Sequence, residues 1–383
     1  MVPGEARIDL DAVSSNVAAL REHAGGAGLM AVVKADGYGH GMLPVARAAL
    51  AGGAGWLGVA LIDEALELRV AGVYAPLLAW LTVPGDRFAA AVAADVDLGA
   101  GASWTLDEIA KGAVEADRPA RVHLKIDTGL SRGGATVADW PELVRSARRH
   151  EADGLVRVVG VWSHLACADE PGHPSLDAQL TAFRDALAYA EAQGLRPEVR
   201  HLANSAATLT LPGARYDLVR TGIAAYGLTP VPQLGGPERY GLRPAMTLLG
   251  RLAVVKRVAG GAAVSYGHTY RTERPTTLAL VPLGYGDGVP RAASSRAEVL
   301  VAGRRRRIAG RVCMDQFVVD LGDDAAAAGD EAVLFGPGDA GEPTAQDWAE
   351  VLDTISYEIV TRVGARVPRT YEAPRDGREE RRS

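Results

Sequence analysis

The chain has 383 residues, of which 48% are hydrophobic and 23% are charged, so the composition is that of a globular protein and excludes a disordered one. The net charge of -6 argues against nucleic acid as the main partner. The length favours two domains, because single hydrophobic cores rarely exceed about 250–300 residues. No signal peptide and no run of about 18 apolar residues is found, so we expect a cytoplasmic protein that makes no membrane contact.

Short apolar strands alternate with helical stretches through about the first 230 residues, for example the helices predicted over 63–72 and 176–194. Eight strands separated by helices predict an N-terminal (β/α)8 TIM-type barrel of parallel strands, with a doubly wound sheet as the alternative. The predicted strands are 29–34, 56–60, 76–81, 94–99, 121–127, 156–165, 199–204 and 216–227.

The pattern changes after the Pro- and Gly-rich segment 228–246. Apolar strands joined by Gly-rich turns then indicate a C-terminal mainly-β domain. Within it, the run RRRR at 304–307 is interpreted as a solvated hairpin turn, and one helix is predicted over 345–364. We therefore divide the chain into a barrel over 1–235, a β-rich domain over 236–372 and a disordered tail over 373–383.

The segment AVVKADGYGHG at 31–41 carries the clearest local signal for chemistry. Lys34 ends an apolar strand, and the active sites of (β/α)8 barrels lie at the carboxyl ends of the strands. A partly desolvated lysine there can act as a nucleophile or form a Schiff base. A lysine that reaches water beside a turn is an equal alternative on these residues alone. The segment fits neither a P-loop nor a dinucleotide-binding motif.

This segment resembles the cofactor-lysine motif of alanine racemases, a fold-type III family that uses pyridoxal 5'-phosphate (PLP). The resemblance implies an isomerase that interconverts L-alanine and D-alanine, with D-alanine feeding peptidoglycan synthesis. Other segments resemble motifs of the same family, in the same order and over nearly the whole chain: KIDTGLSRGG (125–134), GVWSHLACADE (160–170), RHLANSAA (200–207), VRTGIAAYG (219–227), VSYGHTY (264–270), GYGDG (284–288), RVCMDQ (311–316) and SYEIVTR (356–362).

The resemblance assigns PLP to residues of the barrel. Lys34 would hold the cofactor as an internal aldimine and would move the α-proton on the face that serves D-alanine. Arg220 would face the pyridine nitrogen and leave it unprotonated, because a guanidinium does not release its proton. His164 would stack on the cofactor ring. The residues expected around the phosphate are Tyr38, Asn204, Ser205, Gly222, Ile223 and Tyr357.

Three of these residues have simpler interpretations when they are considered without the family. Asn204 precedes Ser-Ala-Ala and is typical of a helix N-cap. Arg220 could be a surface arginine paired with Asp217. His164 could be a histidine of the hydrophobic core.

The second domain would complete the site of a partner subunit in a head-to-tail homodimer. By resemblance, Tyr266 is the second base, which serves L-alanine, and Met314 contacts the substrate carboxylate through its backbone. Arg132 would hold both the Tyr266 hydroxyl and the substrate carboxylate. Lys125 matches a position that is carbamylated in many family members, and that modification would give Arg132 an anionic partner. No residue cluster has metal-ligand spacing, so no metal is predicted.

Three other functions remain open. A PLP-binding protein without catalysis would be a single barrel, and the added β domain argues against it. A fold-type III decarboxylase uses an acidic partner for the pyridine nitrogen, and Arg220 has the opposite charge. A broad-specificity racemase is typically exported, and the absence of a signal peptide argues against one.

Overall fold

The computed structural model describes residues 2–372, so the tail predicted over 373–383 lies outside the described residues. Eight parallel strands form the N-terminal sheet, and each of the first six pairs with the next strand along the chain. The last strand, Leu218–Thr221, pairs with the first, Gly28–Val32. A backbone hydrogen bond from Arg220 N to Ala203 O (2.9 Å) links the last strand to the segment that follows the seventh. The barrel prediction is confirmed, and the doubly wound alternative is wrong.

The strands read as nearly continuous apolar runs because both faces of a barrel sheet are buried. Helices cover the outer face, and those predicted over 63–72 and 176–194 lie within two residues of the observed helices. The barrel strands are Gly28–Val32, Trp56–Val59, Leu77–Ala79, Asp97–Ala100, Ala120–Lys125, Val156–Trp162, Val199–His201 and Leu218–Thr221. The barrel helices of six or more residues are Leu10–His23, Met42–Ala51, Ile62–Val70, Phe88–Ala93, Ser103–Glu115, Trp140–Ala152, Pro174–Ala192 and Ser205–Thr210.

The C-terminal domain is mainly β, as predicted. Its largest sheet has six strands, and one of them, Gly4–Asp9, comes from the extreme N-terminus, where it pairs with Met246–Arg251 and Arg369–Glu372. The first strand therefore belongs to the sheet of the second domain, and the chain enters the barrel only after it. The other strands of this domain are Val254–Val258, Ala263–Val264, Tyr270–Arg271, Thr276–Val281, Glu298–Val301, Arg304–Arg307, Phe317–Gly322 and Glu331–Phe335.

Two local predictions in this domain are wrong. Arg304–Arg307 is a strand that pairs with Glu298–Val301, and the turn of this hairpin lies at Ala302 and Gly303, both with positive φ. The arginines tolerate a strand because they reach carboxylates on neighbouring elements, as Arg305 does to Asp347 at 3.0 Å.

The helix predicted over 345–364 is two helices, Ala345–Leu352 and Ser356–Thr361. Asp353 ends the first helix in the left-handed conformation (φ 57°), which stops helix propagation. Within residues 2–372, no helix has both the length and the apolar composition needed to cross a membrane.

Candidate active site

A cavity of about 870 Å³ opens at the carboxyl end of the barrel strands. The structure brings together at this cavity every site residue that was predicted in the barrel, and also Tyr357 of the β domain. These residues are Lys34, Tyr38, Lys125, Arg132, His164, Asn204, Ser205, Arg220, Gly222, Ile223 and Tyr357. The other two predicted residues of the β domain, Tyr266 and Met314, do not line this cavity.

Lys34 is presented to the cavity by an unusual turn of the backbone. The four residues that follow it, Ala35 to Tyr38, all have φ between 51° and 59°, the left-handed region that costs non-glycine residues about 1–2 kcal/mol each. Side-chain carboxylates hold this turn, because Glu64 accepts from Ala35 N (2.6 Å) and Asp36 accepts from Met42 N (2.9 Å). The turn brings Lys34 and Tyr38 to the same cavity.

The cavity is strongly cationic. Among residues 2–372, its lining contains Lys34, Lys125, Arg132 and Arg220 and no aspartate or glutamate. Burial lowers the pKa of Lys34, and the charge of Arg132 lowers it further. Burial, with the charges of Arg220 and Arg132, lowers the pKa of Lys125 to about 8. Within residues 2–372, Arg132 forms no hydrogen bond or ion pair with another side chain, so the site is built to receive anionic groups.

Arg220 lies on the floor of the cavity and is 5% exposed. Its Nη2 donates to Ser163 O (2.8 Å) and to His164 Nδ1 (3.2 Å). Burial lowers the pKa of Arg220 to about 9, so the guanidinium stays charged at neutral pH. Asp217 instead forms a bidentate pair with Arg200 (2.7 and 3.0 Å), so the interpretation of Arg220 as a surface partner of Asp217 is wrong.

His164 lies between the cavity and Arg220. Burial lowers the pKa of His164 well below its usual range, and the charges of Arg220 and Arg132 act in the same direction. The imidazole is therefore neutral and accepts from Arg220. His164 is thus a residue of the cavity wall and not only of the hydrophobic core.

Neutral donors form a second part of the cavity, at the N-terminus of the helix Ser205–Thr210. Asn204 caps this helix by accepting from Ala207 N (3.0 Å), as the simpler interpretation predicts. Ser205 Oγ accepts from Gly222 N (2.8 Å). A Cβ at Gly222 would lie 2.4 Å from the Tyr38 hydroxyl oxygen, so only glycine allows this approach.

Tyr266 and Met314 lie on the surface of the β domain, where they are 72% and 54% exposed. They are close together, because Ser265 Oγ lies 3.4 Å from Cys313 Sγ. The backbone that presents Tyr266 is strained, since Ser265 and His268 have φ of 62° and 48°. Strained residues of this kind cluster at functional sites.

Sequence reasoning missed a group of buried polar residues below the cavity. Asp97, His123 and His201 are at most 2% exposed and project from three barrel strands into the interior. The two-residue period of a strand could have revealed them in part, because His123 lies two positions before Lys125 and so shares its face of the strand. Trp80 and Trp162, which also line the cavity, were missed as well.

Fold and site together define a (β/α)8-barrel enzyme with an added β domain and a cationic cavity at the carboxyl end of its strands. Models of the alanine racemase N-terminal domain and of the alanine racemase C-terminal domain match residues 8–230 and 245–371. The chain therefore belongs to the alanine racemase family, a family of isomerases.

Individual relatives agree over nearly the full chain. The alanine racemase of Thermobifida fusca is 64% identical over 96% of this chain and 97% of its own length. The crystal structure of alanine racemase from D-cycloserine producing Streptomyces lavendulae superimposes with a TM-score of 0.96, at 59% identity over 97% of this chain and 98% of that one. The Bacillus anthracis alanine racemase with bound L-Ala-P superimposes with a TM-score of 0.89, at 35% identity over 98% and 96% of the two chains.

Proposed function

We propose that this protein interconverts L-alanine and D-alanine with pyridoxal 5'-phosphate as cofactor, in a homodimer whose subunits share active sites, and that it supplies D-alanine for peptidoglycan synthesis. The observation that carries the proposal is the cavity with two lysines, two arginines and no carboxylate. The reactants match this charge, because the cofactor carries a phosphate and the amino acid carries a carboxylate. The alanine racemase of Bacillus anthracis with bound L-Ala-P supports an alanine-sized substrate.

The residues present fit PLP. The hydroxyls of Tyr38, Ser205 and Tyr357, with the backbone at Gly222 and Ile223, suit a phosphate that needs neutral hydrogen-bond donors and close approach of the backbone. Burial raises the pKa of both Tyr38 and Tyr357, which keeps these hydroxyls protonated as donors. Bound PLP supplies an electron-withdrawing ring conjugated to the substrate nitrogen, which acidifies the proton on the substrate Cα.

Lys34 is the proposed attachment point of the cofactor and one of the two bases. Burial and the charge of Arg132 lower the pKa of the Lys34 amine, which increases the fraction of its neutral, nucleophilic form at any given pH. Lys34 Nζ would take the α-proton from D-alanine. In the opposite direction it would donate a proton to the same face of the substrate Cα and so form D-alanine. Arg220 would contact the pyridine nitrogen, and its retained charge favours proton transfer between two bases over other reactions of the cofactor.

Racemisation also needs a base on the opposite face of the planar reacting centre. Tyr266 is the proposed base for L-alanine, and Met314 would bind the substrate carboxylate through its backbone. Both residues are exposed on the β domain and lie outside the cavity of their own chain, which supports delivery to the site of a partner subunit. The proposal thus assigns PLP to the barrel cavity, which Tyr357 of the second domain also lines, and the second base to the domain over 236–372.

Lys125 is the proposed site of carbamylation. Its amine nitrogen would attack the carbon of carbon dioxide and release one proton, which gives an anionic carbamate. With a pKa of about 8, about a tenth of this side chain is neutral and reactive at pH 7. The carbamate would supply the anionic partner that Arg132 lacks within residues 2–372. Mass spectrometry under non-denaturing conditions would detect the added carbon dioxide, and Lys125→Arg would abolish it.

The first test follows the loss of optical rotation from pure L-alanine. We expect wild type to racemise, Lys34→Ala to lose both the PLP absorbance and turnover, and Tyr266→Phe to retain PLP but lose most activity. Lys111→Ala and Tyr74→Phe are matched controls, because both residues are exposed and neither lines the cavity. Wild-type protein that binds PLP and leaves the rotation unchanged would exclude alanine as the substrate.

A mixing experiment tests the shared site. In a heterodimer of a Lys34→Ala chain and a Tyr266→Phe chain, one site combines an intact Lys34 with an intact Tyr266 only if the tyrosine comes from the partner. After subunit exchange, about a quarter of wild-type activity should return, because half of the dimers are mixed and each has one good site. If Tyr266 instead served its own chain, the mixture would stay inactive.

A further inference from the structure

A hydrogen-bonded chain connects the floor of the cavity to the barrel interior. Arg220 Nη1 lies 3.2 Å from His201 Nδ1, and His201 Nε2 lies 2.9 Å from His123 Nδ1. His123 Nε2 lies 3.0 Å from Asp97 Oδ2. Of these four side chains, Arg220 alone lines the cavity, so the other three act on the cavity through it.

The hydrogen bonds of this chain of side chains have one consistent direction of donation, from Arg220 to Asp97. Arg220 can only donate, so His201 Nδ1 must accept, and the His201 proton must sit on Nε2. That nitrogen therefore donates to His123 Nδ1, and the His123 proton must sit on its own Nε2. His123 then donates to Asp97, whose carboxylate can only accept. A proton on His201 Nδ1 would oppose the Arg220 N–H and break the first contact of the chain.

The packing holds both imidazoles in these positions. The His201 ring is stacked on Trp162, with 5.6 Å between centroids and an interplanar angle of 1°. His123 fits against its neighbouring strand only because residue 160 is glycine, where a Cβ would lie 2.2 Å from His123 Nδ1. With both rings in these positions, the tautomers are set by the groups at the two ends.

Asp97 is held as an anion at the inner end. Burial raises its pKa, but hydrogen bonds and charge from His123 and Arg121 lower it more, so its pKa lies below the usual value. Arg121 donates to both carboxylate oxygens (2.7 and 3.3 Å) and is itself partly exposed at 28% of its side chain. The negative charge that terminates the chain is therefore stable at the pH at which a racemase works.

We propose that Asp97 is a positioning residue for Arg220, which it orients through His123 and His201 so that the guanidinium presents its remaining N–H groups to the cofactor ring. The proposal rests on the proposed function, since it takes Arg220 as the group that contacts the pyridine nitrogen. Arg220 is also held by carbonyls such as Ser163 O, but these accept only at Nη2. His201 Nδ1 is the side-chain atom that accepts from Arg220 Nη1.

Asp97→Asn tests this directly, because an amide has one acceptor and one donor. If its oxygen stays on Arg121, its NH2 group donates to His123 Nε2, and both histidines must reverse their tautomers and donate toward Arg220. His201 Nδ1–H then opposes Arg220. We expect kcat to fall about tenfold, the size of one hydrogen bond to a charged group, with little change in KM for alanine, and the absorption spectrum of bound PLP to shift.

Asp217→Asn is the matched control, since Asp217 also forms a bidentate pair with an arginine of the barrel but makes no contact with Arg220. Its spectrum and kcat should match wild type. His123→Phe breaks the chain in the middle and retains the Asp97–Arg121 pair, so it should reproduce the Asp97→Asn spectrum and kcat. Loss of stability alone would not shift the cofactor spectrum.

Nitrogen-15 NMR of histidine-labelled full-length protein reads the tautomers with and without PLP. We expect wild-type His123 and His201 to be protonated on Nε2 only. A proton on His201 Nδ1 in wild type overturns the proposal, even if both variants fail to fold. The proposal is also overturned if the Asp97→Asn protein has reversed tautomers and yet shows the same PLP spectrum and kcat as the Asp217→Asn control. A wild type that does not racemise alanine refutes the proposed function, whereas the tautomers would still report on the chain.

Discussion

The substitution Gly222→Ala tests how closely the backbone and Tyr38 approach each other at the proposed phosphate site. The new Cβ would lie 2.4 Å from the Tyr38 hydroxyl oxygen and 3.0 Å from Cζ, whereas ordinary contact begins near 3.4 Å. The hydroxyl must therefore retreat by about 1 Å. Tyr38 has little room for this, since it is 8% exposed and stacked on Tyr226 with 4.8 Å between ring centroids.

Two costs combine in this variant. Overpacking a buried site costs about 1–3 kcal/mol. Gly222 has φ -100° and ψ -101°, outside the regions that alanine prefers, which adds about 1 kcal/mol or more. We expect the free energy of unfolding to fall by about 3 kcal/mol. The dissociation constant of PLP should rise at least about tenfold, because the Tyr38 hydroxyl is displaced from its position at the proposed phosphate site.

Urea unfolding of the PLP-free protein, followed by tryptophan fluorescence, measures the first effect, and titration of PLP measures the second. Gly213→Ala is the matched control, because a Cβ at Gly213 meets no atom within 4 Å. The reasoning is refuted if Gly222→Ala unfolds at the same urea concentration as Gly213→Ala and binds PLP equally well. Lower stability with unchanged PLP affinity would remove Gly222 from the phosphate site but leave the steric argument intact.

Three further predictions concern stability. Burial lowers the pKa of His40 from 6.5 to about 4, so the unfolded chain binds a proton that the folded chain does not as the pH falls through this interval. The free energy of unfolding should therefore drop by roughly 3 kcal/mol between about pH 6.5 and 4. In His40→Gln the free energy of unfolding should depend less steeply on pH over this interval. Equal slopes in wild type and variant would contradict the assignment of this pH dependence to His40. Asp353→Gly should raise the free energy of unfolding by about 0.5–1 kcal/mol, since glycine adopts the left-handed conformation of this helix end (φ 57°) without strain; a lower unfolding midpoint in urea would argue that the Asp353 side chain stabilises the turn. Gly160→Ala should lower the free energy of unfolding by about 2 kcal/mol and displace His123, because its Cβ would lie 2.2 Å from His123 Nδ1; unchanged histidine nitrogen-15 shifts in this variant would show that the ring has room to move.

The sequence by itself determines the architecture of the barrel and the position of Lys34. Each barrel strand is buried on both faces, so it appears as an apolar run, and eight such runs separated by helices leave few arrangements. Lys34 stands out because a charged residue directly ends one of these runs. Local signals of this kind depend only on neighbours in the chain. The family resemblance added the other predicted site residues. Neutral residues among them, such as Gly222 and Ile223, carry no chemical group that marks them as part of a site.

The tertiary structure decides which polar groups meet. Asp97, His123, His201 and Arg220 lie on four strands far apart in sequence, and barrel closure alone brings them into one hydrogen-bonded chain. The two-residue period of a strand says which residues face the interior but not which strand carries the partner, and so Arg220 could be paired with Asp217 on sequence grounds. The same reason applies to Gly4–Asp9, because strand pairing across domains depends on the fold of the whole chain, not on the residues of one strand.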